Sequence, residues 1–278
     1  MIVDGKALAN EITSNLKHSG AGVNFCAVLV GDNPSSVLYI NKKQKACSGA
    51  GINMRTIKLP AGTTQKQLNK TMDDLSRDNK VHAILLQLPL PHGLDEKQAI
   101  SYMAPEKDVD GLTAENFGKL ASGQGGALAP CTALGIVHIL KSQNVTIAGA
   151  DVCVVGRSNI VGKPVALLLS TMDATVTLCH SKTKDLAKHT KNADIVIAAA
   201  GVPGLLGADM IKKGAVVIDV GVNRLDDGTI CGDIDFAAIS KKASVVTPVP
   251  GGVGPLTIAF LLSNIMKAFE QQRRGQDV

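Results

Sequence analysis

Short, uninterrupted apolar runs recur along this chain, and each is closed by a glycine, a proline or a polar turn. FCAVLV at 25–30 ends at Gly31, VHAILL at 81–86 runs into Gln87 and LPLPHG, and DVCVV at 151–155 runs into GRSNIVGKP. Further strands are read at 54–59, 175–179, 194–199 and 215–220. Runs of this length without polar alternation are strands buried on both faces, the condition of strands in a parallel sheet. Helical patterns separate them, at 5–16, 34–48, 65–77, 132–141, from the GKP segment to about 170, near 186, and at 256–271. Strands alternating with helices build βαβ units. Only 3% of residues are aromatic and none is Trp, so Val, Ile, Leu and Ala must fill the core.

Punctuation sets the segment ends. Asn33 precedes Pro34, a capping residue before a favoured first helical position, and Gly49 and Gly51 stop that helix. ASGQGGALAP at 121–130 has no periodicity and reads as a linker between two α/β domains; 278 residues suffice for both. The second alternation, from 151 onward, has the rhythm of a Rossmann-type domain. The last helical pattern follows that domain's final strand and is expected to pack back on the first domain.

Other classes are disfavoured. The net charge of +5 is spread along the chain, with no dense basic block interleaved with aromatics, so no nucleic-acid partner is expected. The six cysteines include no CxxC pair and no Cys/His cluster of zinc spacing, which implies reduced, packed thiols and no metal site. The N-terminal MIVDGKALANEI has no apolar core of signal length, and no apolar run is long enough to span a membrane. A cytoplasmic protein is expected.

VCVVGRSNIVGKP is a strand, a glycine turn and a helix start, a place where free backbone N–H groups meet phosphate. Gly156 would allow the tight turn and Gly162 the close helix approach. The spacing is not GxGxxG, so a plain structural turn is the competing reading. Two features favour a nucleotide. Arg157 follows the first glycine, and the next strand ends in CHSKT, offering Ser181 and Lys182 where an NAD enzyme places an acid for the ribose hydroxyl. A hydroxyl and cations suit a 2′-phosphate, so NADP is expected over NAD, held by Arg157 and Ser181. His180 is read as packed or hydrogen-bonded before it is read as catalytic.

In LYINKKQKACSGAGI, Tyr39 and Lys43 are four apart and share a helix face, with Lys42 also in reach of the ring. By composition alone this is a solvated cationic face. Gln87 lies just past a strand's carboxyl end, where open α/β sheets bind ligands. PEKDVDGL sets Asp108 and Asp110 on the same side of an extended segment; the competing reading is a capped turn.

Together these segments resemble the bifunctional methylenetetrahydrofolate dehydrogenase/cyclohydrolase family, often called FolD, over nearly the whole chain. The resemblance rests on Tyr39-x-x-x-Lys43, QLPLP from Gln87, PEKDVDG from Pro105, PCTALG from Pro130, VVGRSNIVGKP from Val154, CHSKT from Cys179, VIDVGVN from Val217, GDIDF from Gly232 and TPVPGGVGPLT from Thr247. Ala133 and Val222 depart from the family's usual proline and isoleucine.

The resemblance implies two α/β domains with a cleft between them. These are a folate-binding catalytic domain over 1–121, completed by 253–278, and a Rossmann-type NADP-binding domain over 122–252. It implies oxidation of 5,10-methylenetetrahydrofolate by NADP, then hydrolysis to 10-formyltetrahydrofolate, in one-carbon metabolism and purine biosynthesis. Lys43 would handle protons, Tyr39 would stack on the folate, Gln87 would position the lysine, and Asp110 would anchor the pterin. Gly156, Arg157, Ser158, Ser181 and Val222 would bind NADP, while Pro250, Gly251 and Gly252 would border the folate. A homodimer is implied as well. The rivals are a dehydrogenase without cyclohydrolase activity, opposed by Lys43 and Gln87, and a non-catalytic NADP-binding protein, opposed by the whole set.

Overall fold

In the structure, a computed structural model that describes residues 1–274, the apolar runs become parallel strands. Residues 275–278, the end of the segment expected to complete the first domain, lie outside the described residues. The chain divides into two compact units, one of residues 11–131 with those from 258 onward, the other of residues 1–10 with 132–257. Helix α1 (Gly5–Asn15) carries the chain from one to the other.

The first unit runs β1 (Asn24–Val30), α2 (Pro34–Ala50), β2 (Asn53–Leu59), α3 (Gln65–Arg77), β3 (Ala83–Leu86), α4 (Glu96–Ile100), a 3-10 turn at Pro105–Lys107, and α5 (Ala114–Ala121). The strands lie in the order β2-β1-β3, all parallel, with Phe25 opposite Met54 and Ala83. The punctuation acts as expected. The Asn33 side chain accepts N–H bonds from Ser35 and Ser36, Pro34 starts α2, and Gly51 ends it at φ +77°. Thr64 and Gln67 form a capping box at the start of α3.

Strand alternation then builds two cores. Phe25, Ala27 and Leu29 face Ile40, Cys47 and the last helix (Val253–Arg274) at Leu261, Leu262, Ile265 and Ala268. Cys26, Val28 and Val30 face Leu68, Met72 and Leu75 of α3. The C-terminal helix thus completes the first unit through residues spaced three and four apart.

Residues 121–130 are not the free linker expected from their composition. Leu128 N–H donates to Asn116 Oδ1 (3.1 Å), and Gly126, Ala127 and Ala129 give their carbonyls to Gln271, Lys267 and Asn264. Lack of periodicity marked an irregular segment; its backbone groups still found side-chain partners. The compact units change over at 131/132. Residues 1–10 group with the second unit because Val3 N–H donates to Val246 O and Val246 N–H to Met1 O.

The second unit contains α6 (Cys131–Ser142), β4 (Asp151–Val155), α7 (Gly162–Ser170), β5 (Thr175–Cys179), α8 (Leu186–Thr190), β6 (Ile195–Ala198), β7 (Val216–Asp219), a hairpin of β8 (Asn223–Arg224) and β9 (Ile230–Cys231), α9 (Phe236–Ile239) and β10 (Val245–Val246). Its parallel sheet has the order β10-β7-β6-β4-β5. The chain steps from β4 outward to β5, then back across to β6. The carboxyl ends of β4 and β6 therefore form a topological switch point, where doubly wound sheets take ligands.

Candidate active site

Ser36, Ile40, Lys43, Cys47 and Ala50 form the buried stripe of α2. Lys43 is the charged member of an otherwise uncharged stripe and is 9% exposed, whereas Lys42 and Lys45 are solvated. The Lys43 amine donates to Gln87 Oε1 at 2.9 Å. Gln87 follows β3, its N–H bonded to Val28 O, and its own Nε2 donates to Leu88 O at 2.7 Å. That second bond turns the amide oxygen toward the lysine. Burial lowers the Lys43 pKa below its ordinary 10.5, and the Asp110 charge pulls it partly back. Of the three lysines on α2, Lys43 alone is withdrawn from solvent. Tyr39, 39% exposed, flanks the stripe, and Lys42 Nζ lies 5.7 Å from its ring centre.

The two acids of PEKDVDGL do not share a face. Asp108 is fully buried and brackets its own loop, Oδ2 accepting from Thr113 N–H (2.7 Å) and Asn116 Nδ2 (3.2 Å). Burial raises its pKa. Val109 and Asp110 sit in a turn closed by the Gly111 N–H to Asp108 O bond (3.2 Å), and Gly111 takes φ +65°, where an added Cβ would lie 2.3 Å from Leu128 O. The alternation assumed from the sequence fails because this segment is a 3-10 turn followed by a tight bend. Half-buried Asp110 is the acid whose charge reaches Lys43 and Cys131. Burial, then Asp110, pushes the Cys131 thiol well above its usual range, so it stays protonated.

Two residues escaped the sequence reading. Asn264, on the C-terminal helix, donates to Val109 O (2.8 Å) and Ala129 O (2.9 Å), tying together the loops that carry Asp110 and Cys131. Its signal was an amide within an apolar helical stripe. Ser36 is 2% exposed, and its Oγ has no hydrogen-bond partner among the described residues. Its signal was the i, i+7 spacing to Lys43.

In the second unit, Gly156 ends β4 at φ +120°, and an added Cβ would lie 2.0 Å from Ala199 O. A Cβ on Gly162 would lie 2.0 Å from Gly156 O. Both glycines are therefore demanded by close packing, as the sequence implied. Ser158 Oγ accepts Val161 N–H at 3.1 Å, capping the turn into α7. Arg157, Ser158, Ser181 and Lys182 are exposed, and Val222 is 58% exposed. His180 Nδ1 accepts Lys182 N–H, and His180 N–H donates to Thr183, which fits a packed histidine. Past β5 the first acid is Asp185, whose carboxylate caps α8 through Lys188 N–H. This rim of donors without a free acid near Ser181 fits a phosphorylated ribose. At the TPVPGG loop, Gly251 has φ +107°, Gly252 N–H donates to Pro248 O, and a Cβ on Gly5 would lie 1.7 Å from Gly252 O.

Comparison with known proteins agrees with this layout. Residues 3–110 match the family described as tetrahydrofolate dehydrogenase/cyclohydrolase, catalytic domain, and residues 130–273 match its NAD(P)-binding domain. The bifunctional protein FolD of Paraburkholderia xenovorans is 46% identical over 278 residues, covering 98% of this chain and 97% of that one. The crystal structure of the bifunctional enzyme FolD, a methylenetetrahydrofolate dehydrogenase/cyclohydrolase, from Campylobacter jejuni superimposes with a TM-score of 0.95 at 43% identity, covering 98% and 99% of the two chains. That of Trypanosoma brucei FolD, complexed with NADP cofactor and inhibitor, gives 0.93 at 37% identity, covering 99% and 98%.

Proposed function

This chain belongs to the tetrahydrofolate dehydrogenase/cyclohydrolase family, and we infer from that premise that it performs both reactions. It oxidises 5,10-methylenetetrahydrofolate to the 5,10-methenyl cation with NADP and hydrolyses that cation to 10-formyltetrahydrofolate. The single observation that carries the chemistry is the buried Lys43 amine held on Gln87 Oε1.

NADP supplies the hydride acceptor for the first step. In the second step water adds to the methenyl carbon and gives up one proton; the carbinol's remaining hydroxyl proton then passes to the ring nitrogen N5 as the bond from that carbon to N5 breaks, leaving the formyl group on N10. A base is needed, and an ammonium would be repelled by the substrate cation. Burial favours the neutral form of Lys43, and Gln87 orients the amine without adding charge. Lys43 then takes the water's proton. Asp110 accepts from the amide and amino donors of the pterin edge, which is why an acid serves better than an amide there. Its charge also limits how far the Lys43 pKa falls. Tyr39, partly open, offers a flat face for the folate ring.

The glycine turn at Gly156, with Arg157, Ser158, Ser181 and Val222, holds the dinucleotide, and Pro250, Gly251 and Gly252 border the folate. Residues 1–121 with 253–278 act as the folate-binding domain and 122–252 as the NADP-binding domain. The enzyme works as a cytoplasmic homodimer supplying one-carbon units to purine biosynthesis. Support for the location comes from six free cysteines and from the lack, among the described residues, of any helix long and apolar enough to cross a membrane. Support for the dimer comes from Leu225 and Ile230, apolar side chains 40% and 45% exposed near the β8–β9 hairpin.

An absorbance assay with methylenetetrahydrofolate and NADP tests the reading. The methenyl signal should appear and then decay. A signal without decay would mean a dehydrogenase alone, and no signal would overturn the reading.

A further inference from the structure

Apart from Val222, the VIDVGVN and GDIDF segments take no part in the steps above, yet each contributes one wholly buried acid. Asp219 ends β7 at 2% exposure, and Asp233 lies between β9 and α9 at 0%. Among the described residues neither is in a salt bridge. Backbone dipoles do the compensating. Asp233 Oδ2 accepts the N–H groups of Ala200 (2.6 Å) and Gly201 (2.9 Å), while Oδ1 accepts Val202 N–H (3.0 Å) and Asn223 Nδ2 (2.8 Å). Asp219 Oδ1 accepts Gly221 N–H (3.0 Å) and Asp233 N–H (2.9 Å). The glycines of both segments exist for this arrangement. A Cβ on Gly221 would lie 2.1 Å from Asp233 Oδ1, and one on Gly232 would lie 1.8 Å from Asp219 Oδ2.

Three successive N–H groups converging on one carboxylate form an anion-binding concavity filled by the protein itself. Those groups belong to the loop that leaves β6, at the switch point. The same loop begins at Ala199, whose carbonyl closes against Gly156 of the glycine turn. We propose that Asp233, seated by Asp219, is a positioning residue for NADP: its carboxylate fixes the loops after β6 and β7 into the rim that receives the dinucleotide. This rests on the reading of the second unit as the NADP site. Without the carboxylate the loop must be ordered at the expense of binding, so affinity falls. An amide cannot replace it, because its NH2 would point at the N–H donors it has to accept from.

The bifunctional chain contains its own control, since hydrolysis of methenyltetrahydrofolate uses no dinucleotide. In Asp233→Asn the KM for NADP should rise tenfold or more with a smaller change in kcat, while hydrolysis stays within twofold of wild type. Unchanged NADP affinity overturns the proposal, as does an equal loss of both activities in a folded variant, which would mark a merely structural acid. Should Asp233→Asn fail to fold, Asn223→Ala decides, because it removes one of the four donors. A few-fold rise in the NADP KM with intact hydrolysis supports the proposal, and no rise overturns it. A wild-type protein lacking both activities would sink the functional reading itself and this inference with it.

Discussion

Lys43 Nζ lies 2.9 Å from Gln87 Oε1, and the two residues sit on different elements, α2 and the end of β3, 44 positions apart. The sheet order makes this meeting possible, because α2 follows β1 and β3 pairs directly with β1. The amide is turned by its bond to Leu88 O, so the lysine faces an acceptor that is polar and uncharged.

Replacing Lys43 by Ala should separate the two activities. Hydrolysis, which needs a base, should fall by ~10²–10⁴-fold, the range for a positioned general base. Hydride transfer should fall far less. Lys42→Ala, on the solvated face, should leave both within about twofold, a margin expected for surface substitutions. Steady-state assays of each step check this, and equal losses in Lys43→Ala would make the lysine structural.

The depressed pKa of Lys43 has a pH signature in rate and in stability. Hydrolysis should rise with pH through an apparent pKa below 10.5 as the amine loses its proton. For stability, the unfolded lysine holds a proton between the lowered folded value and 10.5 that the native lysine has released. Stability from this group is therefore fully present above 10.5 and lost as pH falls through that window. Denaturant titrations should show wild type gaining on Lys43→Met between pH 7 and pH 10.

Asp110→Asn should raise the folate KM of both steps by ~10–100-fold, the scale of a lost charge-assisted hydrogen bond. It should also move the pH profile of hydrolysis to lower pH, because the Asp110 charge raises the Lys43 pKa. A folate KM changed in one step alone would contradict the shared anchor.

Ser181→Asp places a carboxylate at the end of β5, where a ribose 2′-phosphate would be repelled. The ratio of NADP to NAD KM values should rise by about tenfold or more. If the ratio stays put, Ser181 does not face the 2′ position.

Asn264→Ala leaves the carbonyls of Val109 and Ala129 without their donor inside the first unit. A loss of ~2–4 kcal/mol in unfolding free energy is expected from unpaired buried carbonyls and the new cavity. Chemical denaturation measures it, and a loss under ~0.5 kcal/mol, the scale of neutral surface changes, would mean the clasp contributes little.

Much of this was legible in the chain. Uninterrupted apolar runs gave β1, β3 and β4, since burial on both faces removes polar alternation, and Asn33, Pro34 and Gly51 gave the bounds of α2 through local capping. Two sites were less legible, for a common reason. Asp108 and Asp110 looked equivalent, and only the bend at Gly111 separates a buried bracket from an acid beside Lys43. Residues 121–130 looked loose because their carbonyls are satisfied by Asn264, Lys267 and Gln271, more than a hundred positions away. Short-range pattern reports short-range physics, and these partners come from packing. Among Lys42, Lys43 and Lys45 the lysine pattern alone does not mark the buried one; the stripe on α2 does.

The most direct test is an NMR titration of the Lys43 side-chain nitrogen in the folded enzyme, assigned by its loss in Lys43→Met. The account predicts a midpoint clearly below 10.5. A midpoint at or above 10.5 would mean the amine stays charged in the working range, and it could not accept the water's proton.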